Sequence, residues 1–244
     1  ACWEGNHALD GEAVLDEAET RHLTKSLRAR AGDRVTLFDG AGRAWEATLT
    51  AADGKRARCR LDHRLEVPVA VPLTLAVALP KGKTFDGIVR QAVELGATAI
   101  VPLTSAHGEV RLDADRAARK HAHWQALVLE AVKQSGNLHP PAVAPVQPLA
   151  DWLPLAPAGR RLVASLEADA QPMAEALDAT PLSTEGAVVL VGPEGDFSPA
   201  EYRAIAAAGF SPVRLAGAVL RVETACAYAL AVLDAARPVS SKMA

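Results

Sequence analysis

The chain has 244 residues, enough for one large domain or two smaller ones, and with half of them hydrophobic but only 4% aromatic its core must rest largely on Val, Leu and Ala. No apolar run approaches the roughly 18 residues of a membrane span, the first residues show neither a basic nor a greasy leader segment, and the scattered Cys2, Cys59 and Cys226 fit neither a disulfide framework nor a zinc site. A reducing cytoplasm and no metal are therefore expected, and the net charge of −3 weighs weakly against a polyanionic partner.

That charge is unevenly spread. Residues 1–20 hold six acids and no Lys or Arg, whereas residues 21–64 hold eleven Lys or Arg against five acids. A basic face of this kind binds phosphates or is simply solvated, and charge alone does not choose. The first predicted element lies in this region. Residues 20–28 (TRHLTKSLR) read as a helical turn or two with Leu23 and Leu27 on one side. Residues 34–61 then read as short strands. Val35 and Leu37 alternate with polar neighbours, Asp39-Gly40-Ala41-Gly42 offers a turn, residues 44–49 resume, and Asp53-Gly54 offers a second hairpin. A small β-barrel or sheet follows, with a boundary over Val67–Pro72.

Beyond Pro72 the rhythm changes to alternating strands and helices. Residues 73–79 (LTLAVAL) are a buried strand, followed by a helix with Phe85, Ile88, Val89, Ala92 and Leu95 on one face and Gly96 as its stop. Residues 97–103 are the next strand, and 114–135 carry Trp124, Leu127, Val128, Ala131 and Val132 at helical spacing. The proline-rich stretch 139–157 reads as a connection, 161–165 as a strand, 173–177 as a short helix and 187–191 as a buried strand. A brief strand at 213–215 and a helix from Glu223 to Arg237, stopped by Pro238, complete the pattern. Such alternation predicts an α/β fold with a mostly parallel sheet covered by helices.

Two stretches carry chemistry. The strand ending at Val191 runs into Gly192-Pro193-Glu194-Gly195, and the carboxyl ends of parallel strands are where such sheets place ligands. Gly192 and Gly195 allow a sharp turn and close approach, and Ser198-Pro199-Ala200-Glu201 is a capping box that starts the next helix. Glu194 and Asp196 make the loop too acidic for a phosphate cradle, which needs free N–H groups and usually a lysine. A cationic or neutral ligand suits it, as does a plain strand-to-helix turn with no ligand. In the second stretch, 215–235, a small-residue loop leads through Leu220-Arg221-Val222-Glu223-Thr224 into the closing helix. Arg221 there is either a surface charge or an aimed guanidinium, and Glu223 and Thr224 are either helix caps or site residues.

The pair GPEGDFSPAE and LRVETA resembles the ribosomal RNA small-subunit methyltransferase E family, one of the SPOUT (trefoil-knotted) methyltransferases. HLTKSLRARAGDRVTLFDGAG, LPKGKTFDGIVRQAVELGATAIVPL and HWQALVLEAVKQSGNLHPP extend the likeness over most of residues 20–236. The resemblance implies a PUA-like RNA-binding β-barrel over residues 1–69 and a knotted SPOUT domain over 73–240 that dimerises. It also implies transfer of a methyl group from S-adenosylmethionine to N3 of a uridine in 16S rRNA of the small ribosomal subunit. In those terms Leu166, the Gly192-Pro193-Glu194-Gly195 turn, Leu215, Leu220, Thr224 and Ala225 hold the cofactor. Arg221 stabilises charge developing on the pyrimidine oxygens, with Glu223 or Thr224 orienting it or the base. His22, Lys25, Arg28, Arg30, Lys81 and Lys83 meet RNA.

The chain departs from that pattern at several places. Asp196 stands for the family's second glycine and Ala216 for the glycine of its Leu-Gly pair, while Ala218 takes the place of an arginine. Gln91 replaces a lysine, Asn137 an arginine, and Ala106-His107 occupy a position that commonly has arginine. A non-catalytic RNA-binding relative and a knotted methyltransferase acting on another RNA, such as transfer RNA, are the alternatives. VALPKGKTF ends like the phosphate loop of an NTPase, but Val77 stands where the first glycine is required, which argues against that class. KRARCR (55–60) fits an RNA contact and a solvated strand face equally well.

Overall fold

The computed structural model of the chain describes residues 11–39, 43–66, 70–108 and 112–238. Cys2, residues 40–42 of the expected first turn and residues 67–69 of the expected boundary lie outside the described residues. The chain divides into two compact units, residues 1–69 with 132–140, and residues 70–131 with 141–244.

In the first unit the strands β1 (Glu12–Leu15), β2 (Arg34–Phe38), β3 (Ala44–Ala52) and β4 (Ala57–Leu65) form an antiparallel sheet in the order β1-β4-β3-β2. Period-two alternation sends Ala13, Leu15, Leu37, Ala47, Leu49, Ala57 and Cys59 into one buried cluster, leaving Arg58 and Arg60 outward. The Asp53-Gly54 hairpin forms as expected: the Asp53 carboxylate accepts from the amides of Lys55 at 3.0 Å and Arg56 at 2.7 Å. Helix α1 (Glu17–Arg21) starts where Asp16 accepts from the Glu19 amide at 2.8 Å.

The next turn, His22–Ser26, is a π-helical turn, with the Leu27 amide bonding back to the His22 carbonyl. This changes one expectation. Leu23 is fully buried, but the wider turn carries Leu27 off that face and leaves it 59% exposed. A second difference concerns residues 132–140, expected to end a helix and begin a connection of the second region. They group with the first unit, where Lys133 forms an ion pair with the buried Glu19 carboxylate.

The second unit begins with β5 (Leu73–Ala78), α2 (Thr84–Glu94) and β6 (Ala99–Thr104), and then α3 (Ala114–Ser135), whose last turn belongs to the first unit. The proline-rich stretch is more ordered than a bare connection. It holds β7 (Ala142–Val143), β8 (Gln147–Pro148), α4 (Leu149–Trp152) and a 3-10 turn at Leu153–Leu155. The short strands form there because the amides of Ala142 and Ala144 find the carbonyls of Thr98 and Ile100 beside them. The remaining elements are β9 (Arg160–Ala164), β10 (Gln171–Pro172), α5 (Met173–Ala179), β11 (Ala187–Val191), α6 (Pro199–Ala207), β12 (Ser211–Arg214) and α7 (Val222–Ala235).

The eight strands form a parallel sheet in the order β10-β12-β9-β11-β5-β6-β7, with β8 also on β6. Every residue of the central β5 and β11 is buried, which is why both read as unbroken apolar runs. Their pairing begins at a backbone contact that admits no side chain. Gly186 takes φ +78°, and a Cβ there would stand 1.8 Å from the Pro72 carbonyl oxygen. On one face α7 packs over β5, β11 and α2. Beneath α3, Trp124 is fully buried against Phe85 at 4.4 Å between ring centroids, and its indole N–H donates to Asp86 at 3.1 Å.

Candidate active site

The neighbouring strands β12, β9 and β11 finish at one level near the middle of the sheet, and a cavity of about 490 Å³ opens above their carboxyl ends. Ser165 and Leu166 continue β9 into one wall. The β11–α6 loop supplies Gly192, Pro193, Glu194 and Asp196. The β12–α7 loop supplies Leu215, Ala216, Ala218, Val219 and Leu220, and the start of α7 adds Arg221, Glu223 and Ala225. Thr84, at the first turn of α2, completes the lining from across β5.

The first of these loops is held at many points. Asp196 adopts φ +60°, in the left-handed region where only Gly, Asn and Asp settle readily. Its carboxylate oxygen Oδ1 accepts from the Phe197 amide and from the Tyr202 hydroxyl, both at 2.8 Å, and its amide donates to the Pro193 carbonyl at 3.0 Å. The rings of Phe197 and Tyr202 meet edge to face at 5.8 Å. A Cβ on Gly192 would press on the Phe197 ring at 3.2 Å, so the turn is shaped for glycine there. The capping box forms in full: Ser198 accepts from the Glu201 amide, and the Glu201 carboxylate accepts from the Ser198 amide at 2.8 Å. The other carboxylate oxygen of Glu201 accepts from the Ala106 amide at 2.7 Å.

These bonds set the local ionisation. Burial pushes the Glu201 carboxyl up, but the hydrogen bonds from Ser198 and Ala106, with the nearby His107, outweigh it and hold the group below its ordinary value. Burial pushes the Tyr202 phenol above its ordinary range; a bond with Ser165 opposes this and the Asp196 carboxylate reinforces it. Both described cysteines are buried, the Cys59 thiol pushed up to about 11, so neither offers a thiolate near neutral pH.

The β12–α7 loop differs. Its residues are small or apolar, and Val219 is 76% exposed. Arg221 sits at the N-cap position of α7 with extended backbone, exposed, and its guanidinium has no hydrogen-bond or ion-pair partner among the described residues. Arg221 and Glu223 both line the cavity, with no hydrogen bond or ion pair between them among the described residues.

Of the expected cofactor residues, Leu166, Gly192, Pro193, Glu194, Leu215, Leu220 and Ala225 come together around the cavity. Gly195 and Thr224 are not in its wall: the carbonyl of Gly195 faces His107, and Thr224 lies on the exposed side of α7. Sequence reasoning missed Thr84, Ser165 and Arg214, which strand order brings in rather than any local motif. Of the expected RNA contacts, His22 and Lys25 lie on the π-helical turn and Arg28 follows at φ +55°. The Arg30 amide is tied to the Asp33 carboxylate at 2.7 Å. In the other unit, the Lys81 amide reaches the Glu194 carboxylate at 3.4 Å and Lys83 is the N-cap of α2. Among the described residues no cluster of His, Cys, Asp and Glu is arranged to hold a metal, and no helix is long and apolar enough to cross a membrane.

The parallel-sheet unit with this cavity and the small antiparallel unit each match a domain of RNA-modifying proteins. A family model described as an RNA methyltransferase domain matches residues 67–234, and one described as an RNA methyltransferase PUA domain matches residues 15–62. Ribosomal RNA small subunit methyltransferase E of Synechocystis is 31% identical over 231 residues, covering 93% of this chain and 74% of that protein. The Mycobacterium tuberculosis protein of the same name is 31% identical over 223 residues, 89% of this chain and 84% of the relative. The chain belongs to the ribosomal RNA small subunit methyltransferase E family. The solved Neisseria gonorrhoeae member, bound to S-adenosyl methionine, superposes with a TM-score of 0.80 at 32% identity over 96% of this chain and 95% of that one. A Legionella pneumophila methyltransferase in complex with bound SAM gives a TM-score of 0.80 at 29% identity over 96% of each chain.

Proposed function

We propose that this chain transfers the methyl group of S-adenosylmethionine to N3 of a uridine in 16S rRNA of the small ribosomal subunit. In this reading residues 1–69 grip RNA, residues 73–240 form the knotted transfer domain, and the protein works in the cytoplasm as a homodimer. The observation that carries it is the Arg221 guanidinium, unpaired among the described residues, on the rim of a cavity walled by glycine, alanine and loop backbone. The family membership and the cofactor held by the Neisseria relative support it.

The residues fit such a donor. A volume of about 490 Å³ lies in the range of small-molecule sites, and the Gly192 turn is a cradle that a Cβ would fill. Glu194, Asp196 and Glu223 outnumber Arg214 and Arg221 in the walls, a slight negative balance that suits a cation. When bound, S-adenosylmethionine supplies an electrophilic methyl group on a sulfonium centre. The tied β11–α6 loop orients it, and orientation supplies much of the acceleration of an in-line displacement. Arg221 stabilises the negative charge that spreads over the pyrimidine oxygens as the N3 proton leaves. No histidine lines the cavity among the described residues, so no side chain is named as the base. Exposed Leu166, Val219 and Tyr228 support a covered face on the transfer domain.

The test is nucleoside mass mapping after incubating the protein with isotopically labelled donor and small ribosomal subunits that lack the modification. N3-methyluridine carrying the label is the expected product. Label in a different methylated base would reassign the target, and donor binding without any transfer would favour a binding-only relative.

A further inference from the structure

We propose that His107 is a positioning residue for the cavity wall: its Nδ1–H, shared between the carbonyls of Gly195 and Asp196, holds the β11–α6 loop in the shape that receives the methyl donor. The inference rests on the functional reading above but concerns a residue outside the cavity wall. His107 Nδ1 lies 3.2 Å from the Gly195 oxygen and 3.1 Å from the Asp196 oxygen. Both partners are carbonyls, which only accept, so Nδ1 carries the hydrogen whether the ring is neutral or charged. The adjacent Ala106 amide donates to Glu201 at 2.7 Å. The turn after β6 is thus fastened twice, to the β11–α6 loop through the His107 side chain and to the first turn of α6 through the Ala106 backbone.

The fastening falls where the loop most needs it. Asp196 is in the left-handed region at φ +60°, which costs free energy for any residue other than glycine, although least for Asn and Asp, and which the surrounding bonds offset. Its side chain is held by Phe197 and Tyr202, and its carbonyl by His107. Gly192, Pro193 and Glu194, which line the cavity, stand immediately before the two clamped carbonyls. Loss of the imidazole donor leaves these carbonyls to solvent and lets the segment sample other turns, so the donor binds a less prepared site. His107 meets the cavity wall through the Asp196 carbonyl and acts on Gly192, Pro193 and Glu194 through the loop.

Three variants separate this role from a general structural one. Asparagine places an N–H donor where Nδ1 stands, glutamine places one where Nε2 stands, and alanine has none. Hydrogen exchange of the amides at 195–198 is read in the ligand-free protein, donor affinity by calorimetry with S-adenosylmethionine, and kcat and KM in the transfer assay. His107→Ala and His107→Gln should speed local exchange and raise the donor Kd and KM by about fivefold to tenfold, with kcat at saturation within about twofold. His107→Asn should stay within about twofold of the parent in every reading. Equal rescue by glutamine would overturn the proposal, as would an alanine variant with unchanged exchange and Kd, or a fall in kcat with KM unchanged. A parent protein that binds no donor would sink the functional reading alone, because the exchange measurement still decides whether His107 holds the loop.

Discussion

Two loops face each other across the cavity, and they are built by opposite means. The β11–α6 loop is fixed by Asp196, Tyr202, Ser198 and Glu201 and tied to the neighbouring β6 turn. The β12–α7 loop, Leu215 to Arg221, makes no side-chain hydrogen bond among the described residues and leaves Val219 largely in solvent. The difference separates two tasks. A wall that must present backbone in one arrangement is over-determined by polar contacts, whereas a wall that must admit a bulky second substrate is made of side chains with little to hold them.

The contrast is sharpest at Arg221. Arg221→Ala should slow methyl transfer by about a hundredfold or more, the effect of losing one charge-stabilising donor, while calorimetry shows unchanged donor affinity. Equal loss of rate and affinity would make Arg221 a donor-binding residue and blur the distinction. On the tied side, Asp196→Ala should cost about 2 kcal/mol in a urea titration, since alanine resists a positive φ and leaves the Tyr202 hydroxyl short of a partner. Asp196→Gly should cost about half as much, because glycine accepts the backbone and only the side-chain bonds are lost.

Glu201→Gln should cost about 1 kcal/mol at pH 7 through the weakened cap and the lost charge-assisted bonds. The folded carboxyl titrates below its ordinary value of 4.5, so its stabilisation is fully present above pH 4.5 and is lost as pH falls through the folded value. Parent and variant should therefore converge in stability as the medium is acidified below that point. On the loose side, Val219→Ser should change stability by no more than about 0.5 kcal/mol, because the side chain is already 76% exposed. A larger loss in dilute solution that disappears at high protein concentration would mean that a second copy covers it.

What could be read from the chain alone follows the range of the forces involved. Elements with a clear period, such as β5, α2, β11 and the buried stripe of α3, were legible because burial on one face or both writes itself into neighbouring residues. The capping box was legible because both partners lie within four residues. The π-helical turn was not, since Leu23 and Leu27 keep ordinary helical spacing and only the hydrogen-bond pattern betrays the wider coil. The short strands β7 and β8 were hidden because each is two residues long and owes its form to the edge of β6. At the site, Gly192-Pro193-Glu194 and Leu220-Arg221 announced themselves by composition. Thr84 and Ser165 reach the same cavity only because β5 and β9 flank β11. The His107 contact spans 88 residues to Gly195, and no local pattern encodes it.

The position of β11 has a consequence for how the molecule is made. It lies between β9 and β5, pairing Ala187 with both Arg160 and Leu73. During synthesis β5 and β6 leave the ribosome long before the strand that joins them to β9, so the first half of the sheet waits with an open apolar edge. Pairing across such a separation is slow, and the cavity comes into being late, when that keystone strand slides home. Shielding of the waiting edge, by nascent-chain contacts or by a chaperone, thus becomes part of the biosynthesis of the active site.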